Sequence, residues 1–477
     1  MKTILKRKTT ISNNDNLILV TSYDSDFSFL NLSSKEYLFL EKELKLNKES
    51  VYINQYNRWL YFIVPKVLQD PNKHLENCRL LGDSVLKNCS NSKQVHIVNL
   101  NRKQEDVLAI TEGLALGNYK YLHHKTKEAN KGLKRIFLCN TIKKNLVSEL
   151  QNIIDSVYIC RDLVNEPFSH LKAKDLSLAA KKFGKESGYS TKIFNKKKIQ
   201  ELKMGGLLAV NQGSIDPPTF TIMEWNPSEA TNSKPLILVG KGIVYDTGGL
   251  SLKPTANSMD IMKVDMAGGA CVISTMYAIA KNNLSVHVIG LLPATDNRPS
   301  GNAYAPGDVV EMFDGTKVEV LNTDAEGRMI LADALSFAKK YKPELVIDLA
   351  TLTGSAARTI GHFGIVSMSQ DADKQHSNLK KAGKKTHERL AEMPFWSDYD
   401  KLLESEVADI KNIGGLFAGA ITAGKFLAHF TEYPWIHLDI AGPSYTKNRY
   451  EYRGLGATGM GVRLLYQFIK DYKKYEN

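Results

Sequence analysis

From residue 235 to residue 440 the sequence alternates short apolar runs with helical stretches, and this alternation restricts the fold more than any other feature. Apolar runs occupy 235–244, 286–292, 345–352 and 435–440. Residues 259–281 and 328–341 carry helical periodicity, and 413–431 is a Gly/Ala-rich helical region. Strands separated by helices of this length build a mostly parallel sheet covered on both faces. Ligands bind such sheets beyond the carboxyl ends of the strands, so that is where chemistry is expected.

The first 140 residues show a second, smaller alternation. Strands are predicted at 17–21, 51–53, 59–64, 95–100 and 135–139, and helices at 71–87 and 104–121. A long amphipathic helix follows over 146–163, with Leu146, Leu150, Ile153, Ile154, Val157 and Leu163 near one face, and stops at Asn165-Glu166-Pro167. The predicted fold class is therefore α/β in two domains, each a mixed or mostly parallel sheet flanked by helices. The expected boundaries are 1–143 for an N-terminal domain, 144–166 for a connecting helix and 167–477 for a larger C-terminal domain.

Hydrophobic residues make up 43% of the 477 and charged residues 24%, enough for a substantial core. A disordered chain and a small disulfide scaffold are excluded. Cys78, Cys89, Cys139, Cys160 and Cys271 form no C-x-x-C pair, which argues for reduced, buried thiols. Residues 1–150 hold 24 Lys+Arg against 15 Asp+Glu, so much of the net charge of +12 sits there. That surplus suits either a solvated lysine-rich surface with an assembly or regulatory role, or nucleic-acid binding. The basic N-terminus is followed by no apolar stretch, and no run is long enough to span a bilayer. A soluble cytoplasmic protein with no membrane partner is expected.

Two segments concentrate polar residues at strand ends. One runs Val239-Gly240-Lys241-Gly242-Ile243-Val244-Tyr245-Asp246-Thr247-Gly248-Gly249 and continues through Lys253-Pro254 to Met262-Lys263-Val264-Asp265. The other is Asn322-Thr323-Asp324-Ala325-Glu326-Gly327-Arg328, between a strand at 317–321 and a helix. On extended backbone Asp324, Glu326 and Arg328 would point the same way. Two carboxylates presented together are metal ligands or an acid–base pair; taken alone, the segment also reads as an exposed acidic turn. Lys241 near the end of a buried strand is unusual, because burial lowers an ammonium's pKa and can leave a neutral amine able to bind a metal.

Other chemistries lack their residues. Gly240-x-Gly242 has neither the third glycine of a dinucleotide fingerprint nor the spacing of a phosphate-binding loop. His387-Glu388 has no second histidine at H-E-x-x-H spacing, His437 lies inside an apolar strand as a core residue would, and no G-x-S-x-G elbow exists.

The two segments, together with Arg161-Asp162-Leu163-Val164-Asn165, Pro299-Ser300-Gly301-Asn302-Ala303-Tyr304, Ala350-Thr351-Leu352-Thr353-Gly354 and His437-Leu438-Asp439-Ile440-Ala441-Gly442, resemble the leucyl (cytosol) aminopeptidase family of dinuclear metallopeptidases. The resemblance covers about residues 160–465 and makes the C-terminal domain the catalytic one. It implies that Lys241, Asp246, Asp265 and Glu326 hold one divalent metal and Asp246, Asp324 and Glu326 a second, with Mn²⁺ or Zn²⁺ expected. It further implies Lys253 as oxyanion stabiliser and bicarbonate on Arg328 as general base. Met262, Asn322, Ala325, Thr351, Leu352, Gly354, Ala457 and Met460 would bind the substrate's first side chain, favouring Leu, Met and other hydrophobic residues. Peptides with a free N-terminus would be the substrates and a homohexamer the assembly. Tyr245 and Thr247 stand where the family usually has Phe and Ser, and the loop 253–265 is one residue longer than the commonest spacing. The other class of function left open is a DNA-binding or regulatory protein using the basic N-terminal domain.

Overall fold

The apolar runs pair into two main sheets in the computed structural model, which describes residues 2–89, 92–127, 132–139 and 142–472. The architecture is α/β, with helices flanking the sheets. The chain divides into two units: Met1–Tyr158 with Asn448–Leu455, and Ile159–Lys447 with Gly456–Asn477. The helix Lys144–Asn165 runs through the first boundary without a break.

In the first unit the strand order is Ile4–Lys8, Arg135–Cys139, Gln94–Asn99, Leu17–Val20, Trp59–Ile63 and Ser50–Asn54. The first five run parallel, and only Ser50–Asn54 pairs antiparallel, with Trp59–Ile63. Leu17–Val20 is buried at every position, as expected for a strand covered on both faces. Ile4–Lys8 is basic and mostly exposed, which is why apolar periodicity gave no sign of it. The helices Pro71–Cys89 and Gln104–Gly117 touch backbone to backbone: a Cβ on Gly82 would fall 2.1 Å from the Ile110 carbonyl oxygen, and one on Gly113 1.9 Å from that of Arg79. The late segment Asn448–Leu455 is locked into this unit by Glu76, whose carboxylate accepts from Tyr452 OH at 2.9 Å and from Arg453 at 3.0 Å.

In the second unit the central strands Trp435–Asp439, Leu345–Ala350, Leu236–Gly240 and Val288–Asn297 are parallel. Antiparallel strands border them on both sides, Ile365–Gln370 beside Trp435–Asp439 and Thr219–Trp225 beside Val288–Asn297. Ile237, Val239, Ile289, Leu291 and Val346 alternate onto the face that packs with Met329, Ile330 and Leu335 of the helix Glu326–Ala338. The helix Ala267–Lys281 is buried along nearly its whole length. Both faces of the sheet are therefore dry, and the strands read as continuous apolar runs.

Three predicted elements change form. The run 235–244 is two strands, Leu236–Gly240 and Gly242–Asp246, broken at Lys241. The helix expected over 259–281 begins as 3-10 turns at Met259–Met266. The Gly/Ala-rich region 413–431 is helical only at Gly419–Ala428, since Gly415 and Ala418 take positive φ of 94° and 55°. Among the described residues no helix is long and apolar enough to cross a membrane, and all five cysteines are buried and unpaired.

Candidate metal centre

Four polar residues of the centre sit where strands of the parallel sheet end. Lys241 follows Leu236–Gly240, Asp246 closes Gly242–Asp246, Asn297 closes Val288–Asn297, and Thr351 follows Leu345–Ala350. Lys241 Nζ lies 2.8 Å from Asp265 Oδ1 and 2.9 Å from Glu326 Oε1, and donates to the Thr351 carbonyl at 2.9 Å. Lys253 Nζ lies 2.8 Å from Asp246 Oδ2 and 2.6 Å from Asp324 Oδ1. Each lysine thus joins two carboxylates, and the four acids predicted as ligands converge around the two ammoniums.

The route to convergence differs from the one expected. Asp324, Glu326 and Arg328 do not share an extended backbone: Glu326 opens the helix Glu326–Ala338, and Arg328 lies in its first turn. Asp324 remains in the preceding turn, its N–H donating to Asn322 Oδ1 at 2.8 Å. Thr323 anchors that turn through its hydroxyl on the Gly248 carbonyl, 2.7 Å, and its N–H on Ser251 Oγ, 3.1 Å. Glu326 is buried, so the exposed acidic turn is excluded.

Electrostatics in the cluster follow from burial and crowding. Burial, reinforced by the Glu326 charge, pushes the Asp246 carboxyl up to about 7 against the pull of Lys253. Burial also raises Asp265 and Asp324, the latter again with Glu326. Glu326 goes the other way, because Lys241 and Lys253 outweigh its desolvation. The expectation for Lys241 is reversed. Burial does oppose its charge, but Asp265, Glu326 and Asp246 overcome that and hold the ammonium's pKa above its ordinary value. Burial lowers Arg328 to about 10, with Glu326, Asp439 and Asp324 opposing.

The donor set fits divalent cations. One carboxylate oxygen each from Asp246, Asp265 and Glu326 lies within 4.8 Å of the other two. Among the described residues, Asp265 Oδ2 and Glu326 Oε2 are buried and make no hydrogen bond, a costly arrangement for ionised oxygens unless a cation meets them. Arg328 Nε is likewise buried without an acceptor among them, while its NH1 donates to the Asn412 carbonyl at 2.7 Å.

Three positioning residues were given no role in the sequence reading, although Tyr304 lies in one of the segments quoted there. Asn297 donates to Asp246 Oδ1 at 2.8 Å and to the Thr323 carbonyl at 3.0 Å, tying the two halves of the cluster together. Tyr304 donates to that same carbonyl at 2.9 Å. Asn412 accepts from Leu321 N–H at 2.9 Å and donates to the Asn322 carbonyl at 2.8 Å. The polar run Thr295-Asp296-Asn297 at the end of an apolar strand was the available signal for the first; nothing local marks Asn412. Of the predicted substrate-binding residues, Thr351 reaches the cluster directly, donating to Asp265 Oδ1 at 2.8 Å. Asn322 and Ala325 flank Asp324, and Leu352 N–H donates to Asp439 Oδ1 at 3.1 Å. Met262 lies in the 3-10 segment beside Asp265. Its neighbour Lys263 donates to the Asn165 carbonyl at 2.6 Å, and Ala457 N–H to Asn165 Oδ1 at 3.1 Å, so Asn165 links these two stretches. Met460 is buried, whereas Gly354 is exposed at the start of the helix Gly354–Ile360.

Residues 158–466 match the cytosol aminopeptidase family, catalytic domain. The chain belongs to that family. A probable cytosol aminopeptidase of Chlorobaculum parvum is 50% identical over 316 residues, 65% of this chain and 62% of the relative's own length. One of Geotalea uraniireducens is 41% identical over 382 residues, 78% of this chain and 77% of the relative. This cytosol aminopeptidase family member also resembles solved structures across nearly its full length. The bottromycin maturation enzyme BotP in complex with Mn aligns with a TM-score of 0.85 at 27% identity, covering 96% of this chain and 99% of that one. A mutant of tomato leucine aminopeptidase aligns with a TM-score of 0.84 at 26% identity, covering 98% and 96%.

Proposed function

We propose that this chain is a metal-dependent aminopeptidase that releases N-terminal residues, Leu, Met and other hydrophobic ones preferred, from peptides with a free N-terminus. The observation that carries the proposal is the convergence of Asp246, Asp265, Asp324 and Glu326 on the buried Lys241 and the half-buried Lys253, with Asp265 Oδ2 and Glu326 Oε2 making no hydrogen bond among the described residues. Family membership and the Mn-bound relative support it.

Lys241, Asp246, Asp265 and Glu326 would hold one cation, and Asp246, Asp324 and Glu326 the other, Mn²⁺ or Zn²⁺ in each place. When bound, the two cations supply an activated water, a polarised scissile carbonyl and a seat for the free α-amine, and bicarbonate supplies a proton acceptor. With a cation bound beside it, Lys241 would serve as a neutral amine ligand, its proton lost to solvent. Lys253, now paired with two carboxylates, turns its ammonium to the oxyanion that develops on the scissile carbonyl, a role that can contribute several kcal/mol. Arg328, whose Nε has no acceptor among the described residues, holds the bicarbonate. The first side chain of the substrate lies among Met262, Asn322, Ala325, Thr351, Leu352, Gly354, Ala457 and Met460. The active assembly is a homohexamer in the cytoplasm.

The test compares a leucyl chromogenic amide with its N-acetylated twin, using metal-stripped protein with and without added Mn²⁺ or Zn²⁺. Metal-restored cleavage of the free-amine substrate alone is expected. Cleavage without metal, or equal cleavage of both substrates, would overturn the assignment.

A further inference from the structure

A second group of ligand-type side chains converges in the first unit. His74 and Cys78 are four residues apart on the helix Pro71–Cys89, hence on one face of it, and Asp106 stands in the first turn of Gln104–Gly117. One ligand atom from each lies within 4.8 Å of the other two.

The surrounding hydrogen bonds fix which atoms face inward. His74 Nδ1 is 3.0 Å from the Lys66 carbonyl oxygen. A carbonyl only accepts, so a proton is on Nδ1, and Nε2 is the ring atom left to meet a cation or a second proton. Nε2 faces Asp106 Oδ1 at 3.0 Å and Cys78 Sγ at 3.9 Å. Asp106 Oδ2 is engaged by Arg102, whose Nε and NH2 each lie 3.2 Å away, which leaves Oδ1 on the histidine side. An imidazole lone pair and a carboxylate oxygen at this distance repel unless a cation or a proton lies between them. The thiol completes a His, Cys, carboxylate set suited to a cation of borderline softness. Around tetrahedral zinc, nitrogen and oxygen ligands stand about 3.3 Å apart and nitrogen and sulfur about 3.6 Å apart. The observed spacings differ from these by only a few tenths of an ångström. A backbone carbonyl on Nδ1–H is also the usual partner of a histidine that binds metal through Nε2.

We propose that His74, Cys78 and Asp106 form a Zn²⁺ site separate from the carboxylate cluster of the second unit. On binding, the Cys78 thiol releases its proton to solvent and its sulfur donates an electron pair to the metal. His74 is 13% exposed, so a water can take the fourth position. The ion would clamp the helix Pro71–Cys89 to the start of Gln104–Gly117, reinforcing the contact made at Gly82 and Gly113.

Co²⁺ is the probe, because thiolate-to-Co²⁺ charge-transfer absorption reports a cysteine ligand and, among the described residues, no cysteine joins the carboxylate cluster. The full chain titrated with Co²⁺ should develop this band to an amplitude of one thiolate site per chain, beyond the two ions the carboxylate cluster takes, and Zn²⁺ should displace it. Cys78→Ala should abolish the band without changing hydrolysis of the leucyl amide. His74→Gln, at a partly exposed position, should weaken Co²⁺ binding at this site at least tenfold and leave the metal-free thermal melt unchanged. Absence of a thiolate band in the unaltered protein, or a band that survives Cys78→Ala, would overturn the site.

Discussion

Gly327 lies directly against Lys241: a Cβ at position 327 would stand 2.4 Å from the lysine's Cε and 2.5 Å from its Nζ. A lysine on the surface would swing away. This one is buried and held by Asp265, Glu326 and the Thr351 carbonyl, so it has nowhere to go. Gly327→Ala should therefore separate helix stability from function. Alanine is at least as good as glycine in a helix, by up to about 1 kcal/mol in an interior, and position 327 is in the first turn, so the helix should persist while kcat/KM falls at least tenfold and metal binding weakens. Steady-state kinetics beside a thermal melt distinguish the two effects; unchanged turnover would show that Lys241 can yield.

Asp324 is the most exposed of the four clustered acids, at 31% of its side chain, and is paired only with Lys253 in the cluster. Asp324→Ala should abolish hydrolysis and lower metal content, as measured by metal analysis after gel filtration. The intact site should also load poorly in acid. Asp246 is pushed up to about 7, and Asp265 and Asp324 are raised as well, so protons compete with the cations as pH falls through 7. Apparent metal affinity should drop about tenfold per pH unit for each proton displaced. Metal content of Asp324→Ala equal to that of the unaltered chain would remove it from the ligand set.

Lys253 makes the opposite prediction for metal. Its ammonium neutralises Asp246 and Asp324, so removing it leaves those carboxylates more available to cations. Lys253→Ala should retain or increase metal binding while kcat falls by about 10²–10³-fold, the range for losing an oxyanion donor. Loss of metal together with activity would make Lys253 a structural clamp instead.

Much of the centre was legible because two local segments carry the family resemblance that assigns its residues. Lys241, Asp246 and Lys253 lie within thirteen residues, and Asp324, Glu326 and Arg328 within five, each group at the end of a readable strand. The parallel sheet was legible because both its faces are dry. What could not be read was the backbone that delivers these residues. At Lys241 the chain makes its last bond to the Leu345–Ala350 strand, N–H to the Leu349 carbonyl, before Gly242–Asp246 continues beside Val288–Asn297, and the turn ahead of the helix at Glu326 is held by Thr323 on Ser251 and Gly248. Asn412 acts from some 90 residues away, through contacts that only the folded chain creates. The sign of the Lys241 shift was missed for the same reason: burial was visible in the sequence, but its three acidic neighbours were not all visible beside it.

Asp333 offers a test of stability away from catalysis. It is fully buried, accepting from Leu207 N–H at 2.8 Å through Oδ2 and from Phe313 N–H at 2.9 Å through Oδ1. Burial outweighs these donors and raises its carboxyl to about 7. An unfolded aspartate titrates near 3.9, so between about pH 4 and 7 the folded state binds the extra proton. Raising the pH through that window must therefore remove stability, by on the order of 2–4 kcal/mol for this residue. Asp333→Asn cannot titrate, and its amide can accept from only one of the two backbone donors. It should be less stable than the unaltered chain at pH 5, by about 1–3 kcal/mol. The gap should narrow or reverse at pH 7.5, as the unaltered chain comes to carry a buried carboxylate. Urea midpoints at the two pH values, taken at equal metal loading, read this difference directly. A gap that stays constant with pH would mean that Asp333 is already ionised throughout.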